Sequence, residues 1–441
     1  MFKVSKSLSL AILFTSLLPQ VVAAQAAPTI SLVTKTATGE ASDGSSFISY
    51  VSANGKYLIF DSNSTNLTSI SNPSSIDQVY VYSVNSGELK MVSSKNGVAG
   101  NANSFQSDIS ASGRLLAYGS NASNLVDGDV NSARDVFVYN RRRGESSIVS
   151  RARNGELGNA ASTGAVFSPD EKSILFQSQA TNLIRASVNG ESQIYERRLR
   201  GRSNQLITKR RDGTLGDGRS ELNREGITAA ANKLLVASYA RNLSVPNSIN
   251  PAHRTLYLLN RDTRKFKIIS KDSSGNEAIG DNTSPSISAN GRWVVFSSNA
   301  SLVPEDTNLF FDVYLLDLKR NSIALITKNS SGVAGDNHSI SYAMTPNARC
   351  IMFSSAATNL DSLGSSASNF HVYRYDRKRN NLERVSLSKT GGQENGGSRR
   401  GSMSSDGKII TFTSTSTDLV DAPDTNGVED VFVATMETSC N

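Results

Sequence analysis

The chain has 441 residues, 46 Lys and Arg against 39 Asp and Glu, a formal charge of +7, two cysteines and three histidines. The modest positive balance permits attraction to anionic glycans, lipid headgroups or nucleic acid without specifying any of them. No segment after residue 26 is apolar for long enough to cross a bilayer as a helix, so a transmembrane protein of that kind is not expected.

At the N-terminus, Lys3 and Lys6 precede an apolar run from Leu8 to Leu18 and then Ala23-Ala24-Gln25-Ala26-Ala27. A charged start, a short apolar run and an Ala-x-Ala site form the pattern of a secretory signal peptide over 1–26, cleaved near Ala26. A largely apolar run of eleven residues is too short to span a membrane, and no cysteine beside the site offers lipid attachment. The expected compartment is periplasmic or extracellular. Removing Lys3 and Lys6 takes the charge from +7 to +5, and export leaves nucleic acid the least expected partner.

From residue 29 onward the chain repeats itself seven times, with a period on the order of 60 residues. The landmark is an aromatic or its substitute followed by Asn-Leu: Phe60 and Asn66-Leu67, Tyr118 and Asn124-Leu125, Phe176 and Asn182-Leu183, Ala237 and Asn242-Leu243. It continues through Phe296 and Ser301-Leu302, Phe353 and Asn359-Leu360, and Phe412 and Asp418-Leu419. The repeats fall at about 35–94, 95–152, 153–210, 211–272, 273–329, 330–388 and 389–441.

Repeat five shows the unit. Ser286-Ile287-Ser288 is a short strand, and Asn290-Gly291 carries a tight-hairpin signal. Trp293-Val294-Val295-Phe296 is an unbroken apolar run, expected of a strand covered on both faces. A loop leads to Asp312–Leu316, a polar turn at Lys319-Arg320-Asn321, and Ile323–Thr327. Four antiparallel strands with short turns make one propeller blade. Repeat four, around Glu225-Gly226-Ile227, has lost the turn glycine and the aromatic and is the most eroded. Helical periodicity is absent.

Six repeats carry their own fourth strand; the seventh runs out at Asp430–Thr435. The missing copy is Thr29–Thr34, so the N-terminal strand is expected to complete the last blade. The predicted fold is an all-β, seven-bladed propeller closed by that strand, whose closure removes exposed sheet edges.

The topology sorts side chains onto two faces. One bears the loops between strands two and three together with the blade-to-blade connections; the other bears the turns between strands one and two and between three and four. Three loops on the first face carry Asp-x-Asn-x-x-x-Asp: Asp129, Asn131 and Asp135; Asp306, Asn308 and Asp312; Asp424, Asn426 and Asp430. Alternating oxygens suit Ca²⁺. The other reading is that the last Asp accepts loop amides and fixes the start of strand three. Gln78, Gln193, Thr255 and His371 occupy that position elsewhere, and the glycine and bidentate Glu of an EF-hand are missing.

Asp43, Asn101, Asn159, Asp217, Asp281, Asp336 and Asn395 lie three residues before each blade's opening position. They either cap their own turns or form a polar ring at the channel mouth, with His338 the only imidazole there. The second face is basic along an arc over repeats two to six: Arg141, Arg142, Arg143, Arg197, Arg198, Arg200, Arg202, Arg377, Lys378 and Arg379 stand out among sixteen cations that also include Arg261 and Arg374. Such an arc suits an anionic partner. Cys350 and Cys440 fall at strand ends on the same face of adjacent repeats, leaving two possibilities: a disulfide that pins the C-terminus, or two free thiols.

The stretches Pro285–Arg292, Phe167-Ser168-Pro169-Asp170, Asp135–Tyr139 and Asp430–Val433 resemble the TolB-like, WD-type propeller repeats of exported bacterial proteins. The resemblance covers essentially the whole of the chain after residue 26 and implies a propeller. It says little of function, since such repeats serve as adaptors, lectins, lyases and appendages of peptidases. Seven repeats are expected here where TolB has six, and no α/β domain is expected ahead of them, so the resemblance does not extend to TolB's whole organisation.

His253, His338 and His371 lack zinc spacing, and no Gly-x-Ser-x-Gly elbow is present. Trp293, the single tryptophan, is expected in a buried strand, which argues against aromatic stacking on a sugar. The function expected is a non-catalytic envelope module, without a resident cofactor, that binds a protein or an anionic glycan as a monomer. The alternative is a metal-dependent polysaccharide lyase or hydrolase at the channel mouth, built on His338 and rim carboxylates.

Overall fold

The structure is a computed structural model that describes residues 27–186, 188–250, 252–364, 368–421, 424 and 426–441; the expected signal peptide lies outside them. Seven four-stranded antiparallel sheets follow one another around an axis, and the described residues include no helix. Blade five shows the order from the axis outward: Asn282–Ile287, Trp293–Ser298, Asp312–Asp317 and Ser322–Leu325.

The second strands read as continuous apolar runs because each side chain faces one neighbouring blade or the other. Val294 and Phe296 enter a cluster with Leu235, Leu256 and Ile269 of blade four. Val295, between them, packs with Ile351, Phe353 and Tyr373 of blade six. Leu58 and Phe60 likewise meet blade seven at Val431 and Val433, whereas Ile59 meets blade two at Leu116 and Phe137. The core is therefore seven apolar seams, one at each blade interface.

Six blades stack the aromatic of strand two on the ring opposite it in strand three, from Tyr118–Phe137 at 5.3 Å to Phe296–Tyr314 at 6.0 Å. Blade four has Ala237 instead, and Tyr257 meets Phe266 edge-on at 6.3 Å.

The ring closes as expected. Thr29–Leu32 pairs antiparallel with Asp430–Thr435, in the register Thr29 to Thr435 and Leu32 to Phe432. Val33 N–H then donates to Val431 O at 2.9 Å. Cys350 and Cys440 form a disulfide between blade six and the C-terminal tail, settling the choice between a bond and free thiols. That tail is also held by Cys440 N–H to Asp406 O (2.7 Å) and Asn347 Nδ2 to Cys440 O (2.7 Å).

The innermost strands do not run straight. Six of them shift register through a bulge, as between Phe105 and Asp108 or between Arg399 and Ser402. In blade seven the bulge requires glycine: Gly401 has φ +116°, and a Cβ there would lie 1.8 Å from Thr411 O. In blade four the inner strand is only Ser220–Glu221, after which the chain leaves the ladder until Ile227 bridges Leu234.

Candidate functional site: the axial pocket and the turn face

On the connection face, each link between blades is a small hairpin. Ser94–Lys95 pairs with Val98–Ala99, and single bridges such as Lys35–Ala41 and Lys328–Ala334 mark the others. The seven Asx residues follow these hairpins. Asp43 N–H donates to Asn66 Oδ1 (3.2 Å), and its carboxylate accepts Thr65 N–H (2.7 Å). Asn101, Asn159, Asp217, Asp336 and Asn395 repeat both contacts. Asp281 instead accepts Arg254 N–H at 3.0 Å while its own N–H donates to Asn299. The Asn of the repeating Asn-Leu pair completes the clamp, as Asn124 Nδ2 to Ala99 O (2.9 Å). These polar groups are thus engaged in tying each connection to its own blade.

The Asp-x-Asn-x-x-x-Asp loops are also internally bonded. Asn131 donates to Asp135 (2.9 Å) and to Gly158 O (2.9 Å); Asn308 donates to Asp312 (3.3 Å) and Gly335 O (3.1 Å); Asn426 donates to Asp430 (2.7 Å) and Ser42 O (2.9 Å). The last Asp accepts a hydroxyl from strand four: Ser150 for Asp135, Thr327 for Asp312 (2.5 Å), Thr34 for Asp430 (2.5 Å). In all seven blades the hydroxyl at that position also accepts the amide of the second residue of strand three, as Val313 N–H to Thr327 (3.0 Å).

Burial is the main cause that pushes Asp135 up to about 6 and Asp312 to about 7. It raises Asp129 as well. Asp306 accepts the Tyr314 hydroxyl. Asp424 is buried against Asp430, and burial followed by that like charge lifts it to about 6.

The histidines are scattered. His338 is exposed, its Nδ1 accepts Phe311 N–H (3.0 Å), and its ring lies edge-on to Phe310 at 5.0 Å. His371 is buried with Nδ1 at 2.7 Å from Glu394. His253 lies 3.9 Å from Asp281. Among the described residues no three His, Cys, Asp or Glu side chains converge as a metal site.

The turn face divides the basic arc into structural and free members. Arg374 is fully buried, bound to Glu383 (2.6 Å) and Thr438 O (2.9 Å), so it adds nothing to the surface charge. Arg141 lies over Tyr57 (3.4 Å) and donates to Gly113 O, Arg197 donates to Arg151 O (2.8 Å), and Arg261 pairs with Glu196. Arg377 stacks on Trp293 at 4.3 Å, with Arg292 4.7 Å from the same ring. Trp293 is therefore half-buried at the turn face and not sealed in the core, because its strand begins at the rim.

Arg142, Arg143, Arg198, Arg200 and Arg202 remain exposed with no carboxylate within ion-pair distance among the described residues; Lys378 is exposed too, while Arg379 lies 3.9 Å from Asp376. Arg143, Arg198 and Arg200 line a groove of about 1320 Å³ over blades two to four, where Arg114 and Lys172 pair with Glu171 and Asp170, Arg261 pairs with Glu196, and Glu145 also faces the space. The large exposed apolar side chains, such as Val130, Val245 and Leu309, are instead on the connection face.

Beside that groove, where the axis opens, is a pocket that sequence reasoning missed. Its volume is about 260 Å³. Each blade supplies one apolar side chain, six at the end of the inner strand and Ile227 from the isolated bridge of blade four: Val51, Ile109, Phe167, Ile227, Ile287, Met344 and Met403. Small residues such as Ala53, Ala111 and Ala229 form the rim. The lining carries only three charges, Asp108, Arg224 and Glu225. Arg224 leaves the broken strand of blade four and crosses to blade two, with Nε 2.6 Å from Asp108, and to blade one, with Nη2 2.6 Å from Val51 O. Glu225 turns the other way and accepts Met344 N–H of blade six at 2.7 Å. Burial pushes Glu225 up to about 7, with Arg224 opposing, and raises Asp108 as well.

No family model matches the chain, and no curated protein sequence does. Solved structures do. An oligogalacturonate lyase in complex with manganese aligns with TM-score 0.52 at 14% identity, over 94% of this chain and 97% of the other. The β-propeller domain of the Trilobed protease from Pyrococcus furiosus, reported to have an open velcro topology, aligns with TM-score 0.52 at 8% identity over 90% and 98%. TolB from Acinetobacter baumannii aligns with TM-score 0.42 at 12% identity over 88% of this chain and 65% of that one. At these identities the likeness is one of fold: the chain shares the β-propeller fold of the first two structures, and it differs from the open one in its paired terminal strand.

Proposed function

We propose that the protein is a non-catalytic propeller of the bacterial envelope that binds an anionic partner, an acidic protein or an anionic glycan, on its turn face. The observation that carries this reading is the set of exposed, unpaired guanidinium groups, Arg142, Arg143, Arg198, Arg200 and Arg202, at and around the groove over blades two to four. Arginines already bound to carboxylates are neutralised and contribute little at a distance. Free ones, clustered, attract and orient an anion, and that attraction weakens with salt. Arginine forks also match carboxylate, sulfate and phosphate groups in a bidentate manner.

The test replaces Arg142, Arg143, Arg198 and Arg200 together by serine and measures binding to an immobilised acidic polysaccharide and to an acidic peptide across a salt series. The expected result is at least a tenfold loss of affinity and a shallower salt dependence with an unchanged melting temperature. Equal binding by variant and parent, or binding insensitive to salt, refutes the reading.

A further inference from the structure

We propose that the axial pocket binds a primary ammonium on an aliphatic stem, with Glu225 as the counter-ion and the sevenfold apolar ring enclosing the stem. The geometry limits what can fit. Arg224 is committed to Asp108 at 2.6 Å, so those two charges cancel locally. Glu225 has no cation within ion-pair distance among the described residues; its carboxylate is held by the Met344 amide and the Ser286 side chain, neither of which carries charge. Ionised, it leaves one uncompensated negative charge in the pocket lining.

An anion would meet two carboxylates and one guanidinium that is already bound. A neutral apolar ligand would bury the Glu225 charge without a counter-ion, which costs free energy. A cation on an apolar stem satisfies both parts of the lining. The walls favour it too: Ile227, Ile287, Met344 and Met403 are nearly buried yet line the cavity, and the alanine rim leaves the mouth unobstructed. The raised pKa of Glu225 is consistent, since a carboxylate without a counter-ion in an apolar setting holds its proton to higher pH. Among the described residues, Arg224 and Asp108 are the only other ionisable groups in the lining, so Glu225 dominates any pH response.

The same chemistry can come from a free alkylamine or from a lysine side chain of a partner, and the probes separate the two. Calorimetry on the full chain at pH 8 would use n-butylammonium, cadaverine, a blocked Gly-Lys-Gly peptide, and 1-butanol as the uncharged control. The amines are expected to bind at least tenfold more tightly than butanol. Affinity should fall roughly tenfold from pH 8 to pH 6 as Glu225 takes up its proton.

Glu225→Gln keeps an acceptor for Met344 N–H and should lose at least tenfold in amine affinity. Ala229→Trp fills the mouth without changing charge and should abolish binding, with melting temperatures showing that both variants fold. Tighter binding of the peptide identifies a lysine-bearing partner, and tighter binding of cadaverine a free amine; either supports the pocket. No heat at 10 mM amine, butanol matching butylammonium, or full binding by both variants overturns the proposal.

Discussion

Replacing Leu32 by alanine isolates the closure of the ring. Leu32 is 5% exposed and sits opposite Phe432 in the strand that completes blade seven. Leu325, 1% exposed, has the same place opposite Tyr314 within blade five, where a short turn ties its strand to the neighbour it pairs with. Truncation removes three carbons at roughly 0.8 kcal/mol each, about 2.4 kcal/mol of transfer free energy. Unfilled space brings the cost to about 3–5 kcal/mol. If the terminal strand is docked as tightly as an internal one, Leu32→Ala and Leu325→Ala should destabilise by similar amounts. Guanidinium unfolding of both, followed by Trp293 fluorescence with the disulfide intact, measures this directly. A loss of about 3–5 kcal/mol is a large part of the roughly 5–15 kcal/mol typical of a native domain. A Leu32→Ala change below about 0.5 kcal/mol, beside a full effect at Leu325, would show that the strand frays in solution and that the ring is held elsewhere.

Replacing both Cys350 and Cys440 by alanine releases a cross-link spanning 90 residues and should cost about 4.6 kcal/mol by the chain-entropy account, seen as a lower unfolding midpoint. Folding raises Asp312 to about 7 and Asp135 to about 6, so their contribution is fully present below the unfolded value near 4 and is lost as pH rises through those folded values. Asp312→Asn should flatten the fall in melting temperature between pH 4 and pH 7, and an unchanged slope contradicts that. Asp317 moves the other way: its hydrogen bonds to Arg292 hold it at about 2, so that stabilisation is present above pH 4 and is lost as pH falls toward 2. Arg292→Ala should therefore shift acid unfolding to higher pH. Millimolar Ca²⁺ is expected to leave the melting temperature unchanged, because Asp135, Asp312 and Asp430 already hold protein donors; a rise of several degrees would make those loops calcium sites.

The number of blades, their four strands and the closing strand were legible because they rest on the alternation of side chains between two apolar seams, which a strand of Val, Ile and Phe displays openly. The Asn-Leu landmark was legible as a mark but not as a clamp, since its partners Ala99 and Asn101 lie across a hairpin. Asp108 was hidden for a definite reason: the bulge after Phe105 shifts the register, so strict alternation puts the carboxylate on the wrong side. Glu225 was read as part of the erosion of blade four, and its neighbour Arg224 carried no signal at all. The interrupted ladder is what frees that segment to enter the axis. Arg384 is a further case, occupying the position of Leu32 and Leu325 opposite Tyr373 and made tolerable there by Asp361 at 2.9 Å.

The clasp between Thr34 and Asp430 joins residues 396 positions apart. During synthesis the first strand to be made waits for nearly the whole polypeptide before its partner exists. Until then blade seven's place is vacant, and blade one presents a raw seam to any nearby chain. Final assembly therefore cannot proceed in step with elongation and must follow the appearance of the last hairpin. Among contacts in this molecule, the clasp is one whose formation depends most on remote encounter, which makes it a natural slow step. A cell that keeps the unfinished chain shielded up to that moment would protect it when self-association is the greatest hazard.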